Sequence, residues 1–353
     1  MLKKKLLRFS KELKFVFEAR KKKVWAVNVA AWKRPHFEKF IEEAHVAYVP
    51  LSVSEQALHR LAKWSKVKKI YIWGKLETQV FKDFLAAEPG IKVVRVEDGF
   101  IRSVGLGAQH VPPYSLCFDK TGIYFDATQP SDLENLLNNY DFDSDPELLK
   151  RAEKCIQTIV ENDITKYNEA ITNLAATLYG PKLGKRVLVI GQVEDDQSIQ
   201  FGCDRPFTNN DLVRLASKEN PEAQIIYKIH PDVLVGKREG LSNPDDVMGI
   251  CNIISERMSL NDALTGVDRV YTISSLAGFE SLLRGVAVTT VGCPFYAGWG
   301  ITNDKQKSPR RNRNLTIINV FSASYILYPR YMREGQKVRI EEIVNEVKLK
   351  STS

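Results

Sequence analysis

The run Arg186-Val187-Leu188-Val189-Ile190-Gly191-Gln192-Val193-Glu194-Asp195-Asp196-Gln197-Ser198 decides how the chain folds. After Arg186 it is apolar for the length of a strand, a pattern that suits a strand buried on both faces of a parallel sheet. A helix-like stretch follows from Asn210 to Lys218. In sheets of this kind the ligand crevice lies outside the carboxyl ends of the strands. The three consecutive carboxylates Glu194, Asp195 and Asp196 therefore fall where chemistry is normally done. The competing reading is an acidic, solvated turn that caps the next helix, and the stretch alone does not choose between the two.

The same alternation extends in both directions. Upstream, strands are expected at Val24–Ala30, Val46–Val49, Lys69–Trp73 and Val93–Val96, with helices between them. Leu116–Asp119 and Ile123–Phe125 read as a short hairpin, and residues 130–179 as helical. Downstream, strands are expected at Val187–Ile190, Ile225–Ile229, Asn252–Ile254, Val270–Ile273 and Val286–Val291. Residues 303–314 form a basic loop, and helices at Val320–Leu327 and Glu341–Lys348 finish the chain. Strands alternating with helices of this length give doubly wound parallel sheets. The expected architecture is α/β: two Rossmann-like domains facing across a cleft, with a helical bridge and C-terminal helices. Residues 24–180 would form the first domain. Residues 181–315 would form the second, and residues 316–353 would pack back toward the first.

A chain of 353 residues exceeds one ordinary core, in keeping with two domains. No apolar run approaches the roughly 20 residues of a membrane span. The five cysteines, Cys117, Cys155, Cys203, Cys251 and Cys293, are odd in number, widely spaced and without a C-x-x-C pair. That spacing speaks against a disulfide framework and a structural zinc site, and suits a reducing compartment. Residues 1–23 hold ten Lys or Arg against Glu12 and Glu18, which accounts for the whole net charge of +8. The near-neutral body disfavours nucleic-acid binding. Leucines and phenylalanines interleave with the lysines of this arm. A basic amphipathic helix on an anionic membrane surface is expected, at about 1 kcal/mol per basic residue near the surface. The competing reading packs the helix on the first domain.

Four further segments carry chemistry. Glu97-Asp98-Gly99-Phe100-Ile101-Arg102-Ser103 follows a strand; Gly99 permits a tight turn that lifts the carboxylates toward a cleft, and Arg102 suits an anionic substrate. Tyr227-Lys228-Ile229-His230-Pro231 closes another strand, where Lys228 and His230 would bind a phosphate and a cationic His230 would protonate it. Thr272-Ile273-Ser274-Ser275 leads into a helix, and two serines at a helix N-terminus offer hydroxyls and free N–H groups to one phosphate; Glu280, one turn on, would face a ribose hydroxyl. Gly292-Cys293-Pro294-Phe295-Tyr296-Ala297-Gly298-Trp299-Gly300 is either a binding wall or an irregular packed loop. Phosphate-loop and dinucleotide glycine motifs are absent, as is a metal-ligand cluster, so metal-independent chemistry on a single phosphodiester is expected.

Together, Glu97-Asp98-Gly99-Phe100-Ile101-Arg102-Ser103-Val104-Gly105-Leu106-Gly107, Gln192-Val193-Glu194-Asp195, His230-Pro231, Ser274 to Glu280 and Pro294 to Gly300 resemble the KpsC/LipA capsule polysaccharide biosynthesis family over roughly residues 90–302. The resemblance implies a retaining β-Kdo transferase of the GT-B type with CMP-Kdo as donor and a Kdo-bearing lipid or glycan as acceptor, residues 24–180 forming the acceptor side and residues 181–315 the donor side. Taken with the reducing-compartment cysteines and the basic arm, a cytoplasmic protein, peripheral at the inner membrane, is expected. Carried onto this chain, the resemblance makes Asp195 the nucleophile of a covalent intermediate, with Glu194 and Asp196 as substitutes. Asp98 or Glu97 would be the acid/base; Gln192, Lys228, His230, Ser274, Ser275 and Glu280 would hold the donor, and Arg102 the Kdo carboxylate. Members of the family typically carry two such modules in tandem, whereas this sequence has one. An inverting CMP-sialic-acid-type transferase and a non-catalytic GT-B adaptor are the alternative readings.

Overall fold

Two sheets absorb the alternating pattern. The computed structural model describes residues 11–351 apart from 13, 21, 44, 105–109, 169–172, 237 and 239. Residues 1–10, Leu13 and Lys21 of the basic arm, and Gly105-Leu106-Gly107, lie outside the described residues. In chain order, the first sheet takes β1 (Val24–Val27), β2 (Ala47–Val49), β3 (Lys69–Trp73), β4 (Lys92–Asp98) and β5 (Ser115–Asp119). The second takes β6 (Arg186–Ile190), β7 (Gln224–Lys228), β8 (Asn252–Ile254), β9 (Arg269–Thr272), β10 (Ala287–Thr290) and the short β11 (Asn303–Asp304). The chain then returns to the first sheet with β12 (Pro329–Arg333) and β13 (Gln336–Val338).

The second sheet is parallel throughout, in the order β11-β10-β9-β6-β7-β8. All five residues of β6 are buried, as its apolar run requires. Strand order reverses between β6 and β9, which opens a crevice at their carboxyl ends. The first sheet runs β13-β12-β5-β4-β3-β1-β2 and is mixed: β5, β12 and β13 join by antiparallel pairing.

Several expectations change. Ile123–Phe125 does not pair with β5. Instead the Asp119 carboxylate accepts the N–H groups of Thr121, Gly122 and Asp132 and folds the chain into a turn. The tail expected as helical contains the β12–β13 hairpin, turned at Glu334 and Gly335, both at positive φ (52° and 84°). The two-residue hairpin turn with φ positive at both centres matches the twist of its strands. Residues 14–19 are helical, and Phe15 and Ala19 are buried in the first sheet's core, Phe15 edge-on to Trp25 at 5.2 Å. This end of the basic arm is thus a packed element of the fold. Among the described residues no helix is long and apolar enough to cross a membrane.

The arginines of the basic loop turn inward. Arg310 and Arg311 both pair with the buried Glu134, at 2.6 and 3.0 Å. Arg313 donates to the carbonyls of Leu137, Asn138 and Tyr140. Between the sheets the apolar core is continuous. Phe100, at the end of β4, meets Phe295 at 4.7 Å and Tyr325 at 5.2 Å, and Phe279 meets Phe295 at 5.4 Å. Glu134→Ala strips both arginines of their anion. Removing one partner of a buried ion pair costs about 3–5 kcal/mol, so thermal denaturation should show a clear fall in Tm for this variant.

Candidate active site

A cleft of about 470 Å³ lies where the carboxyl ends of β4, β6, β7 and β9 converge, with both sheets contributing its walls. The loop after β6 is anchored before any of its carboxylates can act. Gln192 is buried. Its Oε1 accepts the Ser274 N–H at 2.7 Å, and its Nε2 donates to Ser274 Oγ at 3.3 Å, so it bridges the crevice between β6 and β9. Gly191 makes room for this: a Cβ there would sit 2.9 Å from the Lys228 carbonyl.

The three consecutive carboxylates have three different fates. Glu194 turns away from the cleft and is buried, accepting from Asn209 N, Leu241 N, Ser242 N and Ser242 Oγ at 2.6–2.8 Å. Every contact holds the loop together, so Glu194 is a structural residue and not a stand-in nucleophile. Asp195 points outward, exposed, in an ion pair with Arg238 at 2.5 Å. It does not line the cleft, which removes the geometric ground for preferring it as nucleophile. Asp196 does line the cleft, with Oδ1 held by the Ser198 N–H at 2.8 Å. The solvated, helix-capping reading of this stretch thus fits Asp195 for its exposure and Asp196 for its cap, yet only Asp196 also faces the cavity.

Ser274 and Ser275 line the same cavity. Ser275 caps the helix Leu276–Leu283, its Oγ accepting from Ala277 N, while its carbonyl takes the Tyr296 hydroxyl. Gly278 permits that contact, since a Cβ would lie 2.2 Å from the Tyr296 oxygen. The aromatic, glycine-rich segment is thus mainly core: Tyr296 and Trp299 are fully buried, while Pro294 and Phe295 reach the cavity wall. Lys228 and His230 complete this side. His230 Nδ1 accepts the Asp232 N–H at 3.1 Å, which assigns the proton to Nε2. Burial lowers the His230 pKa; Lys228 and Arg238 add to the fall while Asp232 and Asp196 oppose it. The expected cationic acid is therefore a neutral ring that offers an Nε2–H.

The facing wall carries Glu97 and Asp98. Asp98 Oδ2 sits 3.1 Å from Lys33 Nζ and 3.5 Å from Arg102 Nε. Burial opposes its ionisation, but Lys33, Arg102 and Lys166 overcome that and lower its pKa. Glu97 goes the other way: burial first, then the neighbouring Asp98 charge, raise its pKa. Adjacent carboxyl groups pushed apart in this way divide labour between a fixed anion and a group that holds its proton more tightly than an ordinary carboxyl. Arg102 is fully buried behind Asp98, donating to Ser103 Oγ and the Val111 carbonyl, and does not line the cleft. It is a support for Asp98, not a free carboxylate receptor. Glu280 borders the cavity but its Oε1 accepts the Lys166 N–H at 2.8 Å, a positioning contact in place of the expected ribose contact.

Sequence reading passed over two cations. Lys166 lies in the connection after the helix Pro146–Glu161. Burial works against its charge, yet Tyr167 and the carboxylates of Asp98, Glu97 and Asp196 raise its pKa. It is the group that senses both walls. Lys33 rests over the Trp73 ring at 3.7 Å while holding Asp98. Neither belongs to a local motif; the available signal was the position of Lys33 just after β1, beside the first sheet's own strand-order reversal. Among the described residues no group of three or more His, Cys, Asp or Glu is placed to hold a metal ion.

Comparison with known proteins gives a consistent picture. A family model described as "Capsule polysaccharide biosynthesis protein" matches residues 68–331. The lipopolysaccharide-processing protein LpsZ of Rhizobium meliloti is 44% identical over 333 residues, covering 91% of this chain and 73% of that protein. The capsule polysaccharide modification protein LipA of Neisseria meningitidis serogroup A is 39% identical over 310 residues; the match takes in 88% of this chain but 43% of LipA. Two solved structures of Thermosulfurimonas dismutans KpsC are similar. Its β-Kdo 2,4 transferase is 34% identical with a TM-score of 0.77, covering 92% of this chain and 98% of that one. Its β-Kdo 2,7 transferase is 30% identical with a TM-score of 0.74, covering 93% and 99%.

The different fates of Glu194 and Asp195 are separable by stability alone. Glu194→Ala loses four hydrogen bonds to a carboxylate, each worth about 1.5–3 kcal/mol, and urea denaturation should register a loss of at least about 3 kcal/mol. Asp195→Ala removes one exposed ion pair and should stay within about 1 kcal/mol of the parent.

Proposed function

The chain belongs to the capsule polysaccharide biosynthesis family, and on that premise we propose that it is a retaining β-Kdo glycosyltransferase moving Kdo from CMP-Kdo to a Kdo-bearing lipid or glycan. The observation that carries this reading is one cleft with Asp196 on one wall, Glu97 and Asp98 on the other, and Lys166 within electrostatic reach of all three. The similarity to two Kdo transferase structures supports the sugar. We assign the donor to the second sheet's side: Ser274, Ser275, the Nε2–H of His230 and Lys228 face one phosphate, as hydroxyls, an uncharged donor and a cation suited to a phosphodiester. Those groups and Lys166 offset the developing charge of the leaving phosphate, so we propose metal-independent transfer.

In the first step a carboxylate oxygen of Asp196 attacks the anomeric carbon. The bond from that carbon to the phosphate oxygen breaks, CMP leaves with the electron pair, and an ester joins Kdo to Asp196. In the second, Glu97 takes the proton of an acceptor hydroxyl, whose oxygen attacks the same carbon and releases Asp196 as a carboxylate. Two inversions retain configuration. Asp98, pinned by Lys33 and Arg102, keeps its charge, and that charge adds to the burial that raises the Glu97 pKa. The basic arm of residues 1–23 would bring the protein to an anionic membrane surface as a peripheral, cytoplasmic enzyme.

Intact-protein mass spectrometry with CMP-Kdo and no acceptor tests the first step. The parent and Asp195→Ala should gain the mass of one Kdo unit, and Asp196→Ala should not. An adduct surviving Asp196→Ala moves the nucleophile elsewhere, and CMP release with no adduct in any variant points to inverting chemistry. Glu97→Gln should accumulate the adduct and slow its transfer to acceptor by about 10²–10⁴-fold, the usual worth of a general base. Because the Glu97 pKa is raised, transfer should climb with pH through a value above the ordinary carboxylate range and be lost below it. Lys33 lowers that pKa, so Lys33→Met should move the acid limb of the kcat profile to higher pH.

A further inference from the structure

The first sheet has a second concavity, at the end opposite the cleft. This groove, of about 1280 Å³, is lined by seven Lys and Arg side chains and a single carboxylate, Asp132. Lys92 opens β4 in the groove, and Asp98 closes the same strand in the cleft. Six residue steps of about 3.3 Å put roughly 20 Å between the two sites. No ligand group seated against Lys92 reaches the reacting atoms directly.

Two of the seven cations are matched, Lys69 by Glu43 and Arg151 by Glu341, and among the described residues the other five form no ion pair. Of these, Lys92, Lys120, Lys337 and Arg339 are exposed. Arg330 lies over Phe118 at 4.3 Å and donates to the Phe40 carbonyl, so its guanidinium is fixed in place. The one acid is already committed: Asp132 accepts the Lys120 N–H and the Thr121 hydroxyl. Cations gathered in a concave, low-dielectric wall focus field on an anion and raise its local concentration. In a chain whose sequence outside residues 1–23 carries no net charge, this patch is a local exception.

The geometry points to an acidic oligosaccharide, carrying one carboxylate per sugar or nearly so, as the occupant of this groove. Three features select it. The surface is concave, and four of its five aromatic residues, Tyr71, Phe118, Tyr328 and Tyr331, are buried, which leaves the half-buried Tyr140 as a single ring where single-stranded nucleic acid stacks successive bases on several. It lacks the protruding apolar face by which an interfacial helix enters lipid. Spaced, exposed ammonium and guanidinium groups around a long groove match carboxylates spaced along a flexible glycan. The identity of the acid rests on the transferase reading: an enzyme that adds an ulosonic acid works on chains already bearing carboxylates, and a distal groove would retain the older part of the chain while the growing end occupies the cleft.

The test uses the full chain carrying Asp196→Ala, with no donor present, and three probes: a lipid-free Kdo tetrasaccharide, tetragalacturonate, and vesicles containing phosphatidylglycerol. The groove variant adds Lys92→Glu, Lys337→Glu and Arg339→Glu, all exposed positions, with the matching glutamine set as a milder version and circular dichroism as the folding control. Calorimetry should show both tetrasaccharides binding and weakened about tenfold or more by charge reversal, less by glutamine, and more weakly bound at high salt. On the catalytically intact background, KM for a long acidic acceptor should rise while KM and kcat for a monosaccharide acceptor stay unchanged. If tetragalacturonate binds at the groove and the Kdo probe does not, the acidic-glycan site stands and the Kdo reading falls. Binding of either sugar that ignores the substitutions overturns the proposal, as does no binding at all. Vesicle binding that depends on these three residues, without sugar binding, overturns it in favour of a membrane contact.

Discussion

Two sheets that must present reacting groups to each other need a fixed distance between them, and here an aromatic weld sets it. Phe100 leaves the first sheet directly after the Glu97–Asp98 pair and packs on Phe295, which follows β10 of the second, and on Tyr325 of the returning chain. Phe279 joins from the helix that Ser275 caps. The residues that touch the cavity are therefore sequence neighbours of the residues that hold the core together. Rings of this size bury large apolar areas and prefer tilted contacts, which fixes orientation as well as distance. The Glu134 pairs with Arg310 and Arg311 add a second tie on the flank, and Gln197, which accepts the Lys75 N–H, a third at the rim.

Onto this rigid frame the cleft places charge unevenly. Asp98 is surrounded by cations and held ionised, whereas Glu97 beside it bears the repulsion and the burial. Lys166 is drawn toward carboxylates of both walls, and its backbone is in turn tied by Glu280 and by the N–H groups of Arg102 and Ser103, which donate to its carbonyl. The loop that carries Lys166 thus gains its place from both sheets at once. A neutral His230 beside Lys228 keeps that side of the cavity from accumulating excess cation.

Much of this was legible in the sequence because the signals are local. The apolar run at β6, the strand expected at Ile225–Ile229 and found one residue earlier at Gln224–Lys228, and the serines ahead of Leu276 were readable from period and composition, and their loops do meet in one cleft. What was not legible depends on direction and on distant partners. Glu194, Asp195 and Asp196 are indistinguishable as letters. The Asn209 N–H, fifteen residues on, and the Leu241 and Ser242 N–H groups, nearly fifty on, decide that Glu194 turns inward. Arg102 looked like a substrate ligand because nothing nearby reveals that its guanidinium is walled in behind Asp98. The β12–β13 hairpin escaped notice because Glu334 takes a left-handed conformation usually left to Asn, Asp or Gly. The basic loop gave no sign of burial because its anion, Glu134, comes from a helix some 176 residues earlier.

The return of β12 and β13 to the first sheet has a consequence in time. β12 pairs with β5 across more than two hundred residues of intervening chain. A nascent chain emerging from the ribosome exposes β5 as an open sheet edge throughout synthesis of the second sheet, whose six strands are consecutive and can pair as they appear. Bare edges of this kind recruit foreign strands, and domains generally fold as they are made. The later sheet is therefore poised to mature first, with the earlier one waiting, unsealed, for the last segment to arrive.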